Sequence, residues 1–406
     1  MRRLFIWIFL IMNIPVLLHS EGKWNRVDSL YFYDVDSIYT MSLSFVGIDC
    51  VDSMNCVAFA NYNVDKPINR MTKDGGKTWS TTLFDTSYIK VDEDWNFIYY
   101  TPTKVKDVAY PSQNLCIAIC DSGYHWISRD TLKTWKRYKF DTQYTLTGIH
   151  FLNEKIGVIT GIRTLFLTSD GGANWEKIIF PYKETHQKWS IDASFLVNEK
   201  TLYCLIYDGV DTSSYMYRSY DLGHSWNYMK ISNIRYTNLV FLDENIGWIA
   251  GGNQIASGSS NYKNVISLTS DGGVTWESQL DTLYGTKERI IRIYFTDNKN
   301  GYVLTHMFIL WRTTNGGKTW FNDKTLYPKS QLQGPLIDIA PINPNKIFGV
   351  EWKTKGICLY TDDETDVEEY PKINNNSELL IFPNPLSSSG AIKYNLKEPG
   401  AVEIKL

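Results

Sequence analysis

An octet recurs six times along this chain of 406 residues: TKDGGKTW at 72–79, SRDTLKTW at 128–135, TSDGGANW at 168–175, SYDLGHSW at 219–226, TSDGGVTW at 269–276 and TTNGGKTW at 313–320. The tryptophans that end the copies, Trp79, Trp135, Trp175, Trp226, Trp276 and Trp320, lie 56, 40, 51, 50 and 44 residues apart. A repeat of that length is one supersecondary unit that cannot bury its own faces. It must stack on copies of itself, as a propeller or a solenoid does.

Each octet reads as a hairpin turn between two strands. Its third position (Asp74, Asp130, Asp170, Asp221, Asp271 or Asn315) is an acceptor for backbone N–H groups one and two residues on, as in an Asx-turn. The neighbouring glycine supplies positive φ without steric cost. The Ser or Thr hydroxyls satisfy another turn amide, and the Trp lays an apolar plate over the turn. None of this requires a substrate. Carboxylate catalysis needs acids converging on one point, whereas a repeat spreads them one per unit around a rim. The octets therefore read as structural fasteners, and no residue is assigned a catalytic, cofactor-binding or metal-binding role.

Between octets the strand rhythm is regular. The fourth unit alternates apolar and polar residues at 190–196, continues at 201–207 and 215–219, and leaves its octet at 226–231. A seventh unit, at 336–340, 346–352 and 356–360, keeps the rhythm, but its octet is degenerate at Thr361-Asp362-Asp363-Glu364. Lys23 to Val27 looks like the strand that follows an octet, and is expected to complete the last unit and close a ring. The expected fold is all-β: a propeller of seven four-stranded antiparallel blades over 23–370, with six and eight blades as the adjacent alternatives.

The octet resembles the Asp-box, or bacterial neuraminidase repeat, of propeller blades. The longer units at 147–161, 237–251 and 291–303 resemble seven-bladed propellers related to the photosystem II stability and assembly factor, over roughly 40–370. The resemblance implies the fold and places each octet between the third and fourth strands of a blade. The assembly role is not carried over, because no basic patch is visible and fold does not imply function. After a polar linker at 371–378, the Phe382-Pro383-Asn384-Pro385 start and the strand-like stretches at 391–396 and 400–406 resemble a C-terminal sorting domain of the type IX secretion system of Bacteroidetes-like bacteria. That similarity covers about 27 residues (379–406), part of the family's length, and implies the type IX export machinery as a partner.

Residues 1–20 have the form of a signal peptide: Arg2 and Arg3, an apolar stretch from Leu4 to Leu18, then Ser20 before a cut. No later segment is apolar enough to span a bilayer as a helix. The formal net charge is −3, and 39 basic against 44 acidic residues remain once Arg2 and Arg3 leave, so a nucleic-acid partner is not expected. A secreted or cell-surface monomer is expected. Of six cysteines, Cys50 and Cys56 face each other across a predicted hairpin and are the one candidate disulfide. Cys116 and Cys120 lie about 13 Å apart along one strand, too far to bond. With Cys204 and Cys358 they read as core.

The long insertions at 81–103, 181–189, 208–215, 252–263, 281–288 and 327–335 all fall, by strand order, on the face opposite the octets. Trp95, Tyr99, His186, Trp189, Tyr262 and Tyr284 are the candidate ligand-facing residues, since aromatic rings among polar groups suit sugars or peptides. Sialidase chemistry would need an Arg-Ile-Pro motif, which is absent, and an arginine triad, of which the sequence shows no pattern. Asp92, Asp94, Asp208 and Asp211 form no evident catalytic pair. The reading is a non-catalytic binding module for a carbohydrate or protein ligand. A carbohydrate-active hydrolase, sialidase- or glucanase-like, and a structural surface protein are the alternatives.

Overall fold

The computed structural model describes residues 23–29, 43–62, 66–83, 89–91, 97–99, 104–142, 144–181, 188–254, 262–279, 284–286, 289–306, 309–322, 336–351, 356–361, 380–382 and 391–393. It divides into a unit over 1–362 and a second over 363–406. In the second, Leu380–Phe382 pairs antiparallel with Ala391–Lys393.

Seven antiparallel sheets form the blades of the first unit, six of four strands and one with a fifth strand added to its four. From innermost strand outward, blade 1 is Leu43–Cys50, Cys56–Tyr62, Lys66–Thr72 and Ser80–Leu83, and blade 2 is Val105–Ser112, Leu115–Cys120, Tyr124–Ser128 and Lys136–Lys139. Blade 3 is Leu146–Phe151, Gly157–Gly161, Thr164–Thr168 and Glu176–Ile178; blade 4 is Trp189–Leu196, Leu202–Asp208, Ser213–Ser219 and Asn227–Ser232. Blade 5 is Tyr236–Phe241, Gly247–Gln254, Tyr262–Thr269 and Glu277–Ser278, and blade 6 is Ile290–Phe295, Gly301–Thr305, Leu310–Thr313 and Phe321–Asn322. Blade 7 takes Leu336–Asn343, Lys346–Glu351 and Gly356–Thr361 from the end of the propeller and its outer strand, Lys23–Ser29, from the beginning. This is a seven-bladed β-propeller.

Second strands explain why the blades must stack. Leu115–Cys120, Gly157–Gly161 and Gly301–Thr305 are buried at every residue, because neighbouring blades cover both faces. Outer strands grade to the opposite extreme, and all four residues of Lys136–Lys139 are exposed. The seams carry the cores. Phe45, Ile68, Phe348 and Val350 join blades 7 and 1, and Val57, Phe59, Ala118 and Trp126 join blades 1 and 2. Further clusters fill the other five seams. Within one, Trp248 of blade 5 stacks on Phe295 of blade 6 with centroids 3.5 Å apart. Cys50 is disulfide-bonded to Cys56 across the first hairpin of blade 1, Cα–Cα 4.0 Å. The remaining four cysteines are buried and form no disulfide.

Every octet joins the third and fourth strands of its blade, and its hydrogen bonding is local. In blade 3, Asn174 donates its N–H to Asp170 Oδ1 (2.9 Å) and its side-chain amide to Oδ2 (2.8 Å). Thr168 Oγ1 donates to the same carboxylate and accepts the Gly172 N–H (2.8 Å). The carboxylate thus bridges to an amide four residues on, not one or two; a wider loop than an Asx-turn is closed. Both central positions have positive φ (71° and 81° at Gly171 and Gly172), where a side chain is strained. Blade 2 places Thr131 and Leu132 there instead, at 60° and 64°. A backbone bond from Gly171 N to Lys155 O clasps the octet to the first-to-second turn of the blade, so these turns share one face. The tryptophans reach further than their own turns. Trp79 packs edge-on against Phe348 of blade 7 (6.1 Å) and Trp135 against Phe59 of blade 1 (5.7 Å).

The expected loop at 208–215 is mostly strand: Asp208 pairs with Ser213, leaving a tight turn of four residues. Extended pairing likewise carries strands out to Gln254 and Tyr262, and Tyr284–Thr286 adds a fifth strand to that sheet. Within 81–103, Ile89–Val91 pairs with Phe97–Tyr99. No helix among the described residues is long and apolar enough to cross a membrane.

Candidate functional site

The innermost strand of each blade has one edge paired outward and one edge facing the axis. The axial edge leaves N–H groups needing acceptors. All seven innermost strands carry a β-bulge at the corresponding place, immediately before Gly47, Asp107, Gly148, Ala193, Asn238, Arg292 and Asp338. Bulges re-aim side chains. The residue after the bulge and the one two places on then share a face of the strand. These second positions are Asp49, Ala109, His150, Phe195, Val240, Tyr294 and Ala340.

Side chains at these positions reach across seams to cap the free amides of the next blade. Asp338 Oδ2 accepts the Ile48 N–H (3.1 Å), and Asp107 Oδ2 accepts the Ile149 N–H (3.2 Å). From the second position, Asp49 Oδ2 accepts the Tyr110 N–H (2.7 Å), and His150 Nδ1 accepts the Leu196 N–H (3.1 Å). Four successive seams, from blade 7 to blade 4, are thereby fastened in alternating style. Gly47 is needed for the first, since a Cβ there would lie 3.2 Å from Asp338 Oδ2. Tyr294 completes the arc by donating its hydroxyl to Asp338 Oδ1 (2.5 Å), and the Arg292 Nε lies 4.0 Å from that oxygen.

Three acids and one arginine therefore meet in a cavity of about 510 Å³ that opens toward the octet face. Asp49, Asp107 and Arg292 keep part of their surface open to that cavity, and Asp338 is buried. Burial pushes Asp49 up to about 7 against the pull of the Tyr110 and Cys50 N–H groups, with Asp107 and Asp338 adding repulsion. Burial likewise raises Asp107 to about 6, with Arg292 opposing and Asp338 assisting. Asp338 is raised by burial despite Arg292, the Tyr294 hydroxyl and the Ile48 N–H. Burial works against the Arg292 charge, but Asp107, Tyr294 and Asp338 more than offset it and hold the guanidinium protonated. His150 is lowered to about 4 by burial. It is neutral near pH 7, carries its proton on Nε2, and stacks on Phe195 (4.1 Å).

A second cavity, about 670 Å³, opens at the opposite end, where blade-to-blade connections and second-to-third turns lie. Arg235, Arg289 and Arg292 line it, together with Thr237, Asn238 and Asn253. Arg292 also lines the first cavity. Asp192 holds Arg235 by two hydrogen bonds (Nε–Oδ2 2.7 Å, Nη2–Oδ1 2.8 Å), and the guanidinium lies 4.7 Å over the Tyr207 ring. Arg289 is exposed and its side chain has no hydrogen-bond or ion-pair partner among the described residues. The starts of the innermost strands of blades 5 and 6 bring these three arginines to one mouth, a grouping that has no motif in the sequence.

The octet acids are not brought together. Each is spent on its own turn: the Thr275 hydroxyl and N–H hold Asp271 down at about 2, and the Ser225 groups do the same for Asp221. Of the expected ligand-facing residues, Trp189 begins the innermost strand of blade 4, stacks near Phe180 (6.0 Å) and gives its carbonyl to Arg163 Nε (2.9 Å). Tyr99, Tyr262 and Tyr284 lie on strands, with side chains outside the described residues, as are Trp95 and His186. Asp208 and Asp211 serve their hairpin, accepting the Val210 N–H (2.7 Å) and the Tyr215 hydroxyl (2.6 Å); Asp92 and Asp94 are outside the described residues. Among the described residues no cluster of His, Cys, Asp or Glu could hold a metal ion.

No family model matches the sequence, and no curated protein matches it. Solved structures share the fold. YCF48 from Cyanidioschyzon merolae superposes with a TM-score of 0.56 at 14% identity, over 85% of this chain and 99% of that one. YCF48 bound to a D1 peptide gives 0.56 at 12% identity, over 82% and 99%. The GH74 xyloglucanase from Xanthomonas campestris gives 0.55 at 13% identity, over 83% of this chain and 53% of the enzyme. At these identities the likeness is one of fold: propellers with and without catalytic activity share it.

Proposed function

We propose that this chain is an exported, non-catalytic binding module, secreted or held at the cell surface, whose ligand is a glycan or a protein taken on the face away from the octets. The observation that carries the reading is the division of polar groups between the two faces. Octet acids and amides are consumed by their own turns, whereas an arginine-lined cavity opens on the other face, where the Arg289 side chain has no partner among the described residues. A cavity with a few convergent polar groups is the usual form of a ligand site. A YCF48 bound to a D1 peptide supports the idea that this architecture serves binding. The leader, the Cys50–Cys56 disulfide and the sorting-like tail favour export, since disulfides persist in oxidising compartments. Panels of immobilised glycans and peptides, probed with the full chain, test the proposal: saturable binding supports it, and silence across both panels counts against it.

A hydrolase reading has one observation behind it, the raised acids at the axis. Yet both oxygens of each acid already accept hydrogen bonds. Asp49 takes Cys50 and Tyr110, Asp107 takes Val108 and Ile149, and Asp338 takes Tyr294 and Ile48. Groups so engaged serve the ring. Turnover of a sialyl or β-glucan substrate that disappears in Asp107→Asn, with the fold intact, would reverse this assignment.

A further inference from the structure

We infer that the outer rim between blades 3 and 4 carries a stacking site for one pyranose ring of an uncharged glycan. It is a second site, beyond the mouth described above, and it arises from a mismatch of strand lengths. The outer strand of blade 4, Asn227–Ser232, runs for six residues, whereas that of blade 3, Glu176–Ile178, runs for three. Side chains on the blade 3 side of the longer strand therefore outrun the neighbour that would cover them. Tyr228 and Lys230 lie two apart on that side. Tyr228 pairs with Tyr217 of the third strand, and Lys230 pairs with Tyr215. Tyr217 is buried in the seam with Leu165 and Ile178 of blade 3, which fixes the side to which all four point.

The rings form a stack that runs from the core to the surface. Phe180, just past the short strand, packs 4.7 Å from Tyr217, and Tyr217 lies nearly parallel to Tyr228 (4.9 Å, 13°). Tyr217 is 3% exposed and Tyr228 63% exposed. With Tyr217 against one face of the Tyr228 ring, the open surface is the other face and its edges. A ring so backed is a flat apolar plate for the C–H face of a sugar. Polar groups stand beside it. Asp211 Oδ2 accepts the Tyr215 hydroxyl (2.6 Å) and Lys230 Nζ (3.3 Å), and the Tyr215 ring lies 6.5 Å from that of Tyr228. The Ser213 N–H holds the other carboxylate oxygen (3.0 Å). Both charged groups keep open surface, and being held in place they are ready to accept from and donate to ring hydroxyls. Their charges cancel, which favours an uncharged ligand over an acidic or a basic one. An apolar peptide side chain on the same plate would desolvate Asp211 and Lys230 and return no hydrogen bonds, a cost that sugar hydroxyls avoid.

Calorimetric titration of the full chain with cellohexaose and with maltohexaose, a flat and a helical chain of the same neutral sugar, tests the inference. Saturable binding of at least one is expected, with affinity unchanged between about 50 and about 500 mM salt. Tyr228→Ala is expected to weaken it at least about tenfold, and Tyr228→Phe, which keeps the plate, to hold it within about threefold. Lys230→Gln, which leaves the ring stack intact, is expected to weaken binding about threefold or more, and it carries the test should Tyr228→Ala unfold the ring. Tyr138→Ala is the control, since Tyr138 is exposed on the outer strand of blade 2 but stacks on His125; no change is expected. Binding that survives both Tyr228→Ala and Lys230→Gln, or that falls equally in Tyr138→Ala, overturns the site and leaves the broader binding proposal standing. Tighter binding of a neutral leucine-rich peptide, or a dimer that dissociates in Tyr228→Ala, overturns the sugar assignment. Binding of neither sugar overturns the inference, and the glycan and peptide panels then decide the broader proposal on their own.

Discussion

At the rim, Asp170 accepts the N–H of Asn174 four residues away; at the axis, Asp338 accepts the N–H of Ile48 across 290 positions of chain. Both carboxyls do the same chemical work, capping a backbone amide that the sheets leave over. They differ in reach and in solvent. The rim group closes a turn inside one blade, in water, and is held ionised. The axial groups join blade to blade in a confined channel, where burial and mutual repulsion favour the protonated acid. A propeller thus needs two kinds of fastener. One makes each blade, and the other makes the blades a ring.

Substitutions that separate local from long-range fastening test the contrast. Asp338→Ala leaves the Ile48 N–H and the Tyr294 hydroxyl without their acceptors, so a loss of about 2–4 kcal/mol is expected in urea unfolding. A loss under about 1 kcal/mol would show that the axial fastener is idle. Asp170→Ala removes a cap of the kind found at helix starts, and about 1 kcal/mol is expected. If Asp170→Ala costs as much as Asp338→Ala, the distinction between rim and axis fails. The smallest change is Thr131→Gly, which relieves a side chain held at φ 60° in the blade 2 octet. Added freedom of the unfolded chain offsets part of that relief, so a gain of up to about 1 kcal/mol is expected, read as a rise in Tm.

The contrast also explains what the sequence showed. An octet carries its donors, acceptors and positive-φ positions within eight residues, so its copies reveal a repeat and, from it, a propeller. The outer strand Lys23–Ser29 was legible for the same reason: it follows the pattern of a post-octet strand. The axial site has no such signature. Asp49, Asp107 and Asp338 belong to three blades, and two of them follow a bulge while the third lies two places further on. Arg235, Arg289 and Arg292 likewise have no motif around them. Aligning the seven innermost strands at their bulges is the step that would have exposed both sets. Local hydrogen bonding also misled in one detail, since the octet acid reaches four residues on where an Asx-turn predicted one or two.

Opposite shifts give the two regions opposite pH signatures. A rim acid such as Asp271, lowered from 3.8 to about 2, contributes stability that is present above its unfolded value and lost as pH falls through about 2. An axial acid, raised from 3.8, holds its proton only in the native state between the two values. Its contribution is fully present below about pH 4 and is lost as pH rises through about 6 for Asp107 and about 7 for Asp49. The urea midpoint of the full chain, followed from about pH 4 to about pH 8 beside that of Asp49→Asn, measures this directly. The predicted result is a wild-type midpoint that declines across the range and a flatter profile in the variant. Parallel profiles for the two proteins would contradict the claim that confined acids fasten the ring at its axis.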